Sequence, residues 1–348
     1  MTNRHDPRSL SSVHENRWIM RSSVLFLLSV LPACAEIGGP AHLLTDVVEI
    51  KAGERHTCAL TSSGGVKCWG FNHDGELGDG RGSDRSRSVD AVGLTTGVKT
   101  ITAGWRHTCA VTTTGGAKCW GNNHDGQLGD GTQIDRNTPE DVVGLLAKVT
   151  TIRAGERHTC ALTAAGGVKC RGSNHDGQLG EGTETDQSSP VDVTGLTSGV
   201  TAVTARWRHT CALTSAGGVK CWGNNHVGQL GDGTKHDRNT PVDVVGLTNG
   251  VKAFSAGWNH VCALTTAGGM KCWGSNHEGQ LGDGTGVDRK GPVDVVILPS
   301  GITAIATGGE HSCGVTQGAV TCWGENEDGQ LGDGTFKSTL AAKAELGD

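Results

Sequence analysis

Six copies of a His-x-Cys pair carry the residue types best suited to chemistry. The histidines are His56, His107, His158, His209, His260 and His311, and successive copies lie 51 residues apart. Each is followed by a second cysteine, pairing 58 with 68, 109 with 119, 160 with 170, 211 with 221, 262 with 272, and 313 with 322. Imidazole and thiolate together could hold a soft metal ion, but zinc sites favour short C-x-x-C-type spacings and reduced sulfur. The alternative is a bridge across a β-hairpin. Gln317-Gly318 is a two-residue hairpin loop, and symmetric pairing about it sets Cys313 opposite Cys322. In the other copies the turn is one residue longer and the cysteine spacing grows by one; a loop centred on Ser63 puts Cys58 opposite Cys68. Directly opposed β carbons are close enough for a disulfide. The spacing therefore predicts the bridges Cys58–Cys68, Cys109–Cys119, Cys160–Cys170, Cys211–Cys221, Cys262–Cys272 and Cys313–Cys322, with no resident metal and no cofactor. The histidines are then hydrogen-bonding residues at strand starts, or a ring of functional imidazoles.

Disulfides need an oxidising compartment, and the first residues supply a route to one. Arg17 and Arg21 precede an apolar run at 24–31 that is too short to span a bilayer. Residues 1–33 read as an export signal, with Met1 or Met20 as the start, and 34–43 as a short linker. Leu31-Pro-Ala-Cys34 resembles the lipobox of bacterial lipoproteins, which would make Cys34 the lipid-modified N-terminus. An ordinary secretory signal with an incidental Cys34 is the competing reading. Either way the thirteenth cysteine falls outside the six pairs. The expected location is outside the cytoplasm, secreted or held at a bacterial cell envelope by the lipid.

The elements that must position the pairs are short strands. Fifty-six glycines, 4% aromatic residues and no tyrosine point to many turns between strands of small side chains. In the second unit the strand-like runs are 98–103, 107–112, 117–120 and 139–143, with a long loop at 121–132 before the last. Pro139 marks that last run as an edge. Four antiparallel strands per unit make a propeller blade, and a fixed period of this size means an array or a ring. Residues 47–53 match a first strand and 338–347 a last one, so six whole units occupy 44–348. The expected architecture is all-β: a six-bladed ring closed by packing the C-terminal strand beside the N-terminal unit.

The loop Gly-x-Asn-x-x-Gly-Gln-Leu-Gly-x-Gly, carried by Gly121, Asn123, Gly126, Gln127, Leu128, Gly129 and Gly131 and repeated from Gly223, Gly274 and Gly324, resembles the repeat signature of the regulator of chromosome condensation family. The resemblance covers nearly all of 43–348. It implies a β-propeller, usually of seven blades, which leaves seven as the alternative to the six counted here. It does not imply one activity, because that family includes an exchange factor, a light receptor and an enzyme inhibitor.

Where a partner binds is read from the loops that vary. A–B loops, between the first and second strands, carry Glu54-Arg55, Trp105-Arg106, Glu156-Arg157, Trp207-Arg208, Trp258-Asn259 and Gly309-Glu310 on near-identical frames. The C–D loops, on the same face, add His73, His124, His175, His226 and His277, with Glu327 in the sixth. Trp and Arg are typical of binding hot spots. These residues are the candidate surface for a protein or glycan partner of a monomeric scaffold. Packing of the tryptophans on neighbouring blades, and pairing of the arginines with Asp125 or Asp176, is the competing explanation. A propeller enzyme, a hydrolase or lyase with Glu54, Glu156, His56 and His158 around the channel mouth, is the second functional reading. The C–D loops resemble calcium loops only loosely, since Val227 stands in the place of Asp125. A formal charge of −6 without a basic block excludes nucleic acid as the main partner.

Overall fold

The structure, a computed structural model, describes residues 43–343 apart from residue 299, and the side chains of 341–343 are not described. The expected export signal, Cys34 and the expected linker up to residue 42 lie outside the described residues. Six four-stranded sheets follow one another along the chain, each an antiparallel meander in sequence order. Blade one consists of β1 (Val47–Ala52), β2 (His56–Thr61), β3 (Val66–Gly70) and β4 (Arg85–Asp90). Blade two consists of β5 (Val98–Ala103), β6 (His107–Thr112), β7 (Ala117–Gly121) and β8 (Arg136–Asp141). Blades three to six occupy 149–192, 200–243, 251–294 and 302–343. No helix is present among the described residues.

The hairpin register is the one the cysteine spacing requires. Cys58 pairs with Cys68, Cys109 with Cys119, and Cys313 with Cys322 in the ladders, and all six predicted disulfides are formed. The third strand of each blade ends on a glycine because the A–B loop of the same blade leaves no room for a side chain. At Gly121 φ is +103°, and a Cβ would lie 2.6 Å from the Arg106 carbonyl oxygen.

The outer strand differs from expectation. In blade two it runs Arg136–Asp141 and not 139–143, so Pro139 sits inside it. A bulge between Cys119 and Gly121 brings Arg136 opposite Gly121, and Arg136 Nε donates to Asp130 at 2.7 Å, which starts the strand early. Proline is tolerated there because the strand is the sheet edge and its missing N–H faces no partner.

The hydrophobic core lies between blades. Cys58, Leu60, Val66, Cys68 and Leu77 of blade one pack with Ile101, Ala110 and Trp120 of blade two, and the pattern repeats at later junctions. A buried polar staple reinforces each contact. His56 Nε2 lies 2.8 Å from Thr108 Oγ1, which donates in turn to the Glu76 carbonyl at 2.9 Å. The same carbonyl accepts from Trp120 Nε1 at 2.8 Å. Because the threonine hydroxyl spends its proton on the carbonyl, the imidazole carries its hydrogen on Nε2.

Closure of the ring is not seen among the described residues, where no strand of blade six packs on a strand of blade one as the strands of successive blades pack on one another. Trp120, Trp222, Trp273 and Trp323 are fully buried against the preceding blade, whereas Trp69 and Thr57 of blade one are half-buried. Val47 and Val48 of β1 are 38% and 48% exposed.

Candidate functional site

The A–B loops meet over the axis, and hydrogen bonds from loop to loop fix them there. Trp105 N donates to Gly155 O at 3.2 Å, Glu156 N to Trp207 O at 3.2 Å, and Trp258 N to Gly309 O at 3.0 Å. Three indoles from blades two, four and five come together as a result. Ring centroids of Trp105 and Trp207 are 5.6 Å apart with planes at 40°, and those of Trp207 and Trp258 are 5.6 Å apart at 38°. This tilted geometry suits the ring quadrupoles. All three remain partly exposed.

Trp207 occupies the centre by local strain. Its φ is +38°, a left-handed conformation costly for a residue with a side chain. In blade four Arg206 replaces the glycine found at positions 53, 104, 155 and 257, and the first strand extends through it to pair with His209. The loop is thereby reduced to Trp207-Arg208. Arg206 Nε donates to the Ala256 carbonyl at 3.1 Å, clasping blade five beside the indoles, and burial lowers its pKa.

Around the indoles runs a belt of arginines laced to the preceding blade. Arg106 Nη1 is 3.6 Å from Asp74, Arg157 Nη1 3.5 Å from Asp125, and Arg208 Nη1 3.7 Å from Asp176. Arg208 also reaches Glu156 at 3.2 Å. The guanidinium groups stay about half exposed, so each pair contributes only about 0–1 kcal/mol and leaves a usable face. Burial pushes the Glu54 and Glu156 carboxyl groups upward, opposed by the neighbouring arginines. Burial likewise raises Asp125, against Arg157. At the fourth junction Asn259 and Val227 replace both members, and Asn259 Oδ1 accepts from Gln229 Nε2 at 3.4 Å.

The expected loop residues therefore share one face, and both explanations offered for them have a structural counterpart: indoles packed together and arginines paired, yet all solvent-facing. His124, His175, His226 and His277 lie further out, exposed, with Nε2 3.3 to 3.7 Å from Asp135, Asp186, Asp237 and Asp288. The four groups of the enzyme reading do not form a catalytic set. His56 and His158 are buried, with Nε2 on the hydroxyls of Thr108 and Thr210 of the next blade.

Sequence reasoning passed over Phe71, Arg206 and Glu76. Phe71 stacks on His73 at 4.5 Å and has the guanidinium groups of Arg55 and Arg106 at 5.3 and 5.6 Å from its ring centroid, a cation–π contact that joins blade one to the A–B loop of blade two. Glu76 stands where other blades carry glutamine; burial raises it to about 7, and only one of its oxygens, accepting from Asp74 N at 3.0 Å, is partnered. Each is a break in an otherwise regular repeat, which is the signal that could have found it.

Comparison with known families agrees with this architecture: residues 29–345 match the RCC1-like domain. The chain belongs to the RCC1-like domain family. Within it, the chain is 36% identical over 252 residues to the ultraviolet-B receptor UVR8 of Arabidopsis thaliana, covering 71% of this chain and 57% of the receptor. It is 34% identical over 252 residues to the human E3 ubiquitin-protein ligase HERC2, covering 70% of this chain and 5% of that protein. This RCC1-like chain thus spans little more than half of one relative and a small part of the other. Among solved structures, human WBSCR16 superposes with a TM-score of 0.75 at 22% identity, covering 87% of this chain and 83% of that one. Yeast RCC1 (Prp20) bound to Kap60 gives 0.71 at 22%, covering 85% and 74%. At these identities the structural likeness supports the RCC1-like fold alone.

Proposed function

We propose that the chain is an exported, non-catalytic scaffold that binds a protein partner, or a glycan, through the face carrying its A–B and C–D loops. The observation that carries this reading is the Trp105–Trp207–Trp258 cluster, held at the centre of a belt of half-exposed arginines on a rigid frame. Yeast RCC1 has been solved with Kap60, and its binding to Gsp1p and histones is the subject of another structure, so protein recognition by this fold supports the class of partner. Six disulfides fit an oxidising compartment. The basic and apolar N-terminal sequence ending in Cys34 supports export and lipid attachment at a bacterial envelope, although the relatives compared above are eukaryotic. No helix among the described residues is long and apolar enough to cross a membrane.

The test is a crosslinking pull-down from envelope extract with wild type and the triple variant W105A/W207A/W258A. Loss of specific partners in the variant is the expected result; equal recovery removes the face from consideration. A second reading, ultraviolet reception, is favoured by the coupled indoles and by the likeness to an ultraviolet-B receptor. It requires reversible changes in protein fluorescence after ultraviolet-B exposure that Trp207→Phe abolishes.

A further inference from the structure

Of the bridges whose sulfurs have no exposed surface, four share an apolar cluster with an indole and one does not. Cys58 and Cys68 belong to the cluster of Trp120, Cys160 and Cys170 to that of Trp222, Cys211 and Cys221 to that of Trp273, and Cys262 and Cys272 to that of Trp323. Each indole comes from the third strand of the next blade. The bridge of blade two, Cys109–Cys119, meets Arg171 there instead. The aliphatic stem of Arg171 takes the place of the indole, lying against Gly129 as Trp120 lies against Gly78. Its guanidinium reaches the sulfurs: Nη2 is 2.9 Å from Cys119 Sγ and 3.9 Å from Cys109 Sγ.

This cation has no anion of its own. Arg171 is fully buried, Nε donates to the Gln127 carbonyl at 3.1 Å, and Nη1 has no partner. Asp130, whose charge acts on Arg171, accepts from Arg136 Nε at 2.7 Å; His107, which feels the charge of Arg171, has Nε2 2.8 Å from Thr159 Oγ1. An intact disulfide is neutral and compensates nothing. Reduction changes this, because a thiolate at Cys119 would face the guanidinium inside the protein, where charge-assisted contacts are strong. Arginine beside a cysteine favours its thiolate and apolar surroundings disfavour it, so reduction of the four indole-covered bridges leaves thiols with no such counter-charge.

We propose that Cys109–Cys119 is a redox-active bridge that undergoes thiol–disulfide exchange with a dithiol, with Cys119 as the leaving sulfur and Arg171 holding its thiolate. A dithiol with one sulfur ionised attacks Cys109 Sγ, the bond to Cys119 breaks, and the electron pair stays on Cys119. The second thiol then closes on the first and releases Cys109, which takes the remaining proton. The dithiol is oxidised to a disulfide by loss of two electrons, and the bridge is reduced to one thiol and one thiolate. Exchange therefore replaces a covalent clamp within blade two by an ion pair across the junction between blades two and three. It is independent of the proposed binding face.

Cys109 and Cys119 have no exposed surface, so exchange passes through local opening and the effect is read at equilibrium, not as a rate. The test equilibrates the full chain with buffered ratios of reduced to oxidised dithiothreitol, blocks free thiols with a mass-tagged alkylating agent, and reads each cysteine peptide by mass spectrometry. Cys109–Cys119 should be half reduced at a ratio about tenfold lower than the four indole-covered bridges, since the ratio scales with how far the thiolate is favoured. Arg171→Trp should move it into their range, and so should Arg171→Met, which keeps an unbranched stem without the charge. Circular dichroism establishes that each variant is folded. The advantage should shrink several-fold between about pH 8 and about pH 6 as the thiolate takes a proton, whereas loose packing at Arg171 would leave it constant. Equal midpoints for all these bridges, an advantage that survives in both variants, or one insensitive to pH would each overturn the proposal.

Discussion

His209 shows what one side chain contributes to a junction. Its counterparts find Thr108, Thr159, Thr210 or Ser312 at 2.8 to 3.0 Å, but Val261 occupies that place opposite His209, whose two ring nitrogens are both buried without partners. Val261→Thr should therefore raise stability by about 0.5–1.5 kcal/mol, read as a higher urea midpoint, because it completes a bond the other blades make. Thr108→Val should do the reverse and cost about 1–3 kcal/mol by stranding His56 Nε2. Arg171 is the second exception. It stands in the slot filled elsewhere by Trp120, Trp222, Trp273 and Trp323, fully buried, and burial pulls it down to about 9. Its Nε donates to the Gln127 carbonyl and Nη2 approaches Cys119 Sγ at 2.9 Å, while Nη1 has no partner. Replacing a buried charge without a carboxylate partner by the indole the slot accommodates four times should stabilise by about 1–4 kcal/mol in the same titration. Both exceptions were visible in the sequence as departures from the repeat. Their cost was not, because it depends on which atoms of the next blade each side chain meets.

At the scale of the hairpin, the bridge and the histidine were legible because a period-two strand and a turn of known length leave one register. The outer strand was less so: Pro139 was read as a strand start, and only the bulge opposite Trp120 shows that Arg136 already pairs. Five of the bridges are built from cysteines with no exposed surface, whereas Cys313 and Cys322 of blade six are half-buried. Brief treatment of the folded protein with a dithiol and a mass-tagged alkylating agent should label blade six first; equal labelling of all blades would contradict this. The histidine row makes the blades acid-sensitive. Burial lowers His56 and His209 to about 4 and His107, His158 and His260 to about 3. The folded chain then binds fewer protons than the unfolded one below the unfolded value of about 6.5. Stability is complete above that pH and falls toward pH 4, by up to about 1.4 kcal/mol per pH unit per histidine. Glu76, raised to about 7, acts oppositely, since its folded form holds a proton the unfolded chain has released. Glu54, Glu156 and Asp125, also raised, act in the same sense as Glu76, but the five strongly lowered imidazoles set the net trend downward, and urea midpoints at pH 7.5 and 5 should show it.

Across the whole molecule, each blade touches chiefly its neighbours, so stability is a sum of blade and junction contributions. Hydrogen exchange should be slowest in blades two to four and faster in one and six, each of which has a blade packed on one side only among the described residues; uniform protection would mean that the ring closes. The count of six was legible from the period, but closure was not, because the angle between blades comes from packing that no spacing encodes. Convergence of Trp105, Trp207 and Trp258 was equally hidden, since it depends on that curvature and on Arg206 shortening one loop. The same curvature has one uneven step. Between blades four and five both the aspartate–arginine pair and the histidine–hydroxyl bond are gone, through Val227, Asn259 and Val261, while Arg206 and the Trp207–Trp258 contact hold the axis. Pinned at the hub and slack toward the rim, this joint is a built-in crease: bending forces should concentrate there, swinging two blades against four.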